Sequence, residues 1–191
     1  MLRILLLFLP VFMFSNVIKV GKNQPYKSIK KAIAAARSGD TILVEKGHYK
    51  EGNINVNKSL RIFGEGRPIL DGELKYEILS FRANRIHLKG FKIINSGEDE
   101  VKNIGAIRLY DSHYSTIENN IFDNNYFGIY IQRGYRCLIQ NNRITSKRAT
   151  SQERSGDGIH AWVSDELWIK NNYIEGNKDG IYLEKVTNSY I

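Results

Sequence analysis

Residues 116–122 read TIENNIF, residues 138–144 read LIQNNRI and residues 168–174 read WIKNNYI. A second signature follows each copy: GIYI at 128–131, GIHA at 158–161 and GIYL at 180–183. The equivalent isoleucines are Ile117, Ile139, Ile169 and Ile191, spaced by 22, 30 and 22 residues. The basic unit is therefore 22 residues, with eight inserted in the longer copy. A unit this short cannot close a core of its own and must stack on its neighbours. Within each copy the apolar residues alternate, as in Ile129 and Ile131, Ile159 and Ala161, Ile181 and Leu183. That is the period of a strand. Short strands piled coil on coil, about 4.8 Å apart, make a parallel β-helix. The Asn pairs fall where each strand ends. Asn accepts left-handed backbone and its amide can bond its copy in the next coil. Asn119, Asn141 and Asn171 are the expected ladder.

Working outward, residues 25–37 read PYKSIKKAIAAAR. Ile29, Ala32, Ile33 and Ala36 share one helical face, and Ser38-Gly39-Asp40 stops the helix. A short amphipathic helix ahead of a coil stack predicts an N-terminal cap over the first coil's apolar end. Strands are expected from residues 41–44 onward, with Ile42 and Val44 inward, and the pattern becomes regular from Ile86 and Leu88. The 29 residues from Leu88 to Ile117 mark a second lengthened coil. The two inserts, at 95–103 (NSGEDEVKN, acidic) and 145–155 (TSKRATSQERS, basic), occupy the same turn. Glu98, Asp99 or Glu100 is expected near Lys147 or Arg148, an exposed pairing of about 0–1 kcal/mol.

The 191 residues suffice for one domain with a substantial core. The formal charge of +8 is spread rather than blocked, which argues against nucleic acid. Residues 1–16 read as a secretory signal: Arg3, then an apolar run interrupted by Pro10, too short to span a bilayer. No membrane span is expected in the mature chain, which covers residues 17–191. Cys137 stands alone, so no disulfide framework is available. Aligned by repeat it matches Ile86, Ser115 and Leu167, and reads as a buried thiol.

The outward face of the GIYI-type strands carries two columns. One is Arg108, Tyr130, His160, Tyr182; the other is Tyr110, Gln132, Trp162, Glu184. Rings dominate where a solvated strand favours charge, which marks either a binding surface or cross-strand packing of the rings. Arg108, Tyr110, Tyr130, His160, Trp162 and Tyr182 are its partner-binding candidates. His160 is the candidate metal ligand among the four histidines, although no HxH, CxxC or Met-rich cluster accompanies it. Asp157 and Asp179 precede aligned glycines, so they are expected in adjacent coils about 5 Å apart. Such a pair could serve a retaining glycosidase or hold Ca²⁺; each could equally bond its own turn.

SGDGIHAW (155–162), NKDGIYLE (177–184), SIKKAIAAA with GDTILVEKGHYKE, and GFKIINSG (90–97) together resemble the NosD family, periplasmic maturation proteins of nitrous oxide reductase. More broadly the chain is similar to pectate-lyase-like right-handed parallel β-helices. The NosD resemblance implies a periplasmic, non-enzymatic scaffold for copper-site maturation. It implies copper as transient cargo, with His160 and Trp162 on a relay or docking face. Its implied partners are an ABC-type transporter (ATPase plus permease), a copper-chaperone lipoprotein and nitrous oxide reductase. The chain stops in mid-pattern at Ile191 and reads as the N-terminal part of a longer β-helix. The alternative is a carbohydrate-active β-helix enzyme, a lyase, hydrolase or epimerase on acidic polysaccharide, with Asp157 and Asp179 as its carboxylates.

Overall fold

The computed structural model describes residues 15–99, 104–146 and 156–191. The expected signal segment lies almost wholly outside them, as do the loop residues 100–103 and 147–155 and the ion pair expected between those loops.

The chain winds through three parallel sheets. The first stacks Val17–Val20, Thr41–Val44, Arg61–Gly64, His87–Lys89, Thr116–Glu118, Leu138–Gln140 and Trp168–Lys170. The second stacks Ile54–Val56, Leu79–Phe81, Gly105–Tyr110, Phe127–Gln132, Ile159–Asp165 and Ile181–Thr187. The third stacks His48–Tyr49, Ile69–Asp71, Lys92–Ile94, Ile121–Asp123, Arg143–Thr145 and Tyr173–Glu175. This is the parallel β-helix that the repeat predicts.

Register puts like on like. Ile18, Ile42, Ile62, Leu88, Ile117, Ile139 and Ile169 form one continuous inward column. Leu70, Ile93, Phe122, Ile144 and Ile174 form another. Every residue of the first column from Ile42 to Ile169 is at most 2% exposed. Alternation therefore fixes the register, because a one-residue slip would turn each column outward. Strand pairing begins earlier than expected, at Val17–Val20, which pairs with Thr41–Val44. Its four residues follow directly on the apolar leader and have no alternating neighbour in sequence to reveal them.

Helix α1 (Ile29–Ala35) caps the stack, with Ile29, Ala32, Ile33 and Ala36 buried. Its ends are held from the following coil. The Glu51 carboxylate accepts from Ser28 Oγ, Ile29 N and Lys30 N at 2.7, 2.7 and 3.0 Å. Lys58 Nζ donates to the carbonyls of Ile33, Ala34 and Ala36 at 2.9, 2.9 and 2.7 Å. Opposite charges thus sit at the helix ends that favour them.

The Asn pairs divide the work differently from the expectation. Asn119, Asn141 and Asn171 adopt φ of 54°, 53° and 54° and are exposed, so they supply the left-handed turn. The ladder belongs to the second Asn of each pair. Asn120 Nδ2 donates to Asn142 Oδ1 (3.2 Å) and Asn142 Nδ2 to Asn172 Oδ1 (3.0 Å). A left-handed residue points its side chain outward, and the next one then faces the interior. The glycines of the GI signatures answer a different need. A Cβ on Gly128 would meet the Gly158 carbonyl oxygen at 2.4 Å, and one on Gly158 would meet Ile174 Cγ2 at 2.4 Å. Cys137 is fully buried and its Sγ donates to the Ser112 carbonyl at 3.1 Å; burial pushes its thiol up to about 11.

Candidate active site

The outward columns of the second sheet assemble as the repeat alignment predicts. Arg108, Tyr130, His160 and Tyr182 are consecutive register partners, as are Tyr110, Gln132, Trp162 and Glu184. Between them lies an open groove of about 480 Å³, lined by Arg108, Tyr130, Gln132, His160, Trp162 and Glu184.

His160 is the fixed point of this groove. Its ring stacks on Tyr130 (4.5 Å between centroids, 8° between planes) and lies against Tyr182 at 4.9 Å. Phe127 meets it edge-on at 5.6 Å. Its Nδ1 lies 2.7 Å from Asp157 Oδ2. A carboxylate accepting from Nδ1–H holds the ring's proton on that nitrogen and leaves the Nε2 lone pair available. His48 with Asp71 and His87 with Glu118 also pair at 2.8 Å. Those two imidazoles are 47% and 30% exposed, whereas His160 and Asp157 are 14% and 8% exposed. Burial and a three-ring enclosure set the His160 pair apart.

Asp157 can reach His160 because it sits in the turn before the strand. Residues three apart within a strand would face opposite sides, so the alternation that locates His160 hides its partner. Asp179 is joined to this region through its backbone: its carbonyl accepts from Gly158 N at 2.9 Å. The Asp157 carboxylate thus pairs with the His160 imidazole rather than with the Asp179 side chain.

The groove's upper end holds a network that sequence reasoning missed. Glu77 accepts from Tyr110 Oη at 3.1 and 3.2 Å and from Ser80 Oγ. The Tyr110 ring carries the guanidiniums of Arg82 and Arg108 at 3.7 and 4.6 Å. Arg108 also lies 4.6 Å from the Tyr130 ring and donates to Gln132. Burial pushes the Glu77 carboxyl up, against the opposing pull of Ser80, Tyr110 and the two arginines. Burial also raises the Tyr130 and Tyr110 phenols. Glu77 lies in an irregular early coil, where no repeat signals it.

Among the described residues no three His, Cys, Asp or Glu side chains gather at one point. With Nδ1 engaged, His160 offers one nitrogen, and the nearest second donor is a carboxylate. Cu(I) favours thiolate and thioether sulfur, whereas the donor beside His160 is a carboxylate oxygen.

Residues 15–150 and 105–191 match the right handed beta helix region family, and the chain belongs to it. No curated protein sequence matches it. Solved structures of similar shape include pectin methylesterases. One, a mutant enzyme in complex with a hexasaccharide, is 13% identical with a TM-score of 0.48, covering 86% of this chain and 80% of that one. Pectin methylesterase PemA from Erwinia chrysanthemi is 10% identical (TM-score 0.44; 89% and 81% covered). The carrot enzyme is 13% identical (TM-score 0.43; 91% and 83% covered). The expectation of a non-enzymatic role stands against these neighbours, whose names are those of enzymes. At such identities the likeness extends to the fold alone, and the chemistry has to be argued from this chain's own residues.

Proposed function

We propose that the chain is a carbohydrate-active enzyme that cleaves an acidic polysaccharide by removing the proton beside a uronate carboxylate. The observation that carries the reading is the partly buried His160–Asp157 pair set among aromatic walls in an open groove. The exposed Tyr182 and half-buried Trp162 rings are available to sugars, and an open groove suits a polymer. His160 Nε2 takes the proton from C5 of the uronate. The C5–H electron pair becomes the C4=C5 double bond, and the C4–O bond breaks. The departing oxygen takes a proton from Tyr130, whose burial keeps its phenol protonated. Arg108 faces the same groove and offsets the negative charge that builds on the carboxylate. Asp157 holds the imidazole in the tautomer the step needs. Export, implied by the apolar N-terminal segment, would bring the enzyme to such polymers.

Polygalacturonate and alginate are the first substrates to try, with the unsaturated product followed by its ultraviolet absorbance. His160→Gln is expected to lower kcat by about a hundredfold or more, with the circular dichroism spectrum unchanged. Turnover of neither polymer, or a His160→Gln variant as active as the parent, would sink the reading. Copper bound through His160 in a chain without turnover would favour the metal-handling role that the NosD resemblance implies.

A further inference from the structure

The reading above assigns no role to Arg82. This side chain is exposed, and its guanidinium carbon lies over the Tyr110 ring, 3.7 Å from the centroid. Among the described residues it makes no ion pair and no side-chain hydrogen bond. The ring thus restrains the guanidinium while its N–H groups stay open to a ligand. A guanidinium in that state has already lost much of its rotamer freedom and presents a planar fork suited to a carboxylate. The plate beneath it is rigid as well, since the Tyr110 hydroxyl is tied to Glu77, which Ser80 also holds.

Position gives this fork a meaning. Arg82 follows Phe81, the register partner of Leu109, so it heads the column that continues through Tyr110, Gln132 and Trp162. Its coil lies three strand spacings from that of His160, about 14 Å along the solenoid axis. One sugar cannot touch both groups, whereas an oligosaccharide lying parallel to the axis can.

We propose that Arg82, seated on Tyr110, forms a distal subsite for the carboxylate of a second uronate. The groove would then select polymers with acidic residues in succession over those with an isolated acid. This rests on the acidic-polysaccharide reading for its ligand class, but its test uses binding and not turnover. Affinity for hexagalacturonate and for digalacturonate is measured by calorimetry on the His160→Gln chain, then on the same chain carrying Arg82→Ala. The double variant is expected to bind the hexamer about tenfold more weakly, the loss of one charge-assisted contact. The dimer, too short to span both points, should show less than about a twofold change. Arg82→Lys should recover only part of the loss, because an ammonium lacks the fork. Equal hexamer affinity with and without Arg82, or equal losses for hexamer and dimer, would overturn the subsite. An Arg82-dependent hexamer affinity in a wild-type chain without turnover would leave the subsite standing and remove only the elimination chemistry.

Discussion

Two adjacent asparagines with the same letter do different physical work. Asn141 is exposed at φ 53°, a region that costs most residues about 1–2 kcal/mol and glycine nothing. Asn142 is 2% exposed, and its amide donates to the Ile117 carbonyl and to Asn172 while its oxygen accepts from Asn120 N and Nδ2. Asn141→Gly should therefore move stability by no more than about 0.5 kcal/mol. Asn142→Ala should cost about 3 kcal/mol, because it strands buried polar groups on two neighbouring coils. Urea midpoints of the two variants check the contrast, and similar costs would contradict it. The pair itself was plain in the sequence. Its division of labour was not, because the repeat fixes which positions are equivalent but not which of two identical side chains faces inward.

At the scale of elements, legibility followed periodicity. The buried face of α1 and the strands from His87 onward were readable, because each alternates apolar with polar at its own period. The outward columns were readable for the same reason, since equal spacing in sequence becomes equal height in the stack. What periodicity could not reach were contacts made by turns and irregular coils: Asp157 on His160, Glu77 under Tyr110, and the two charges that grip α1. Seven residues are too few for a helix to persist by propensity, so α1 depends on those contacts. Lys58 fills three carbonyls at the C-terminal end, including that of Ala36 at 2.7 Å. Lys58→Met keeps the stem and removes the donors. It should cost about 1–2 kcal/mol, with the slope of the urea transition unchanged and amide exchange quickening first across residues 32–36. Faster exchange spread evenly through the sheets would contradict the local role assigned to Lys58.

The whole molecule carries opposed proton linkages whose signs can be worked out. The Asp40 carboxyl lies below its ordinary 3.8 because it accepts from the backbone N–H groups of Arg37 and Asn16. For Asp71 and Glu118 burial pushes upward, but the first is outweighed by Glu73 N–H, Asn95 and His48, and the second by Gln140 and His87. A lowered carboxyl contributes stability that is present above its unfolded value and lost as pH falls through its folded one. These groups therefore weaken the fold once pH drops below about 4. Glu77 acts in the opposite sense: raised above 4.5 by burial, it costs stability at neutral pH and returns it as pH falls toward 4.5. The urea midpoint should accordingly climb as pH is lowered from neutrality toward 4.5, then fall steeply below about 4. Glu77→Gln preserves an acceptor for Tyr110 and Ser80 but cannot ionise. In that variant the climb should vanish while the acid fall persists, because the fall arises in other coils. A climb that survives Glu77→Gln would mean that its source lies elsewhere in the chain.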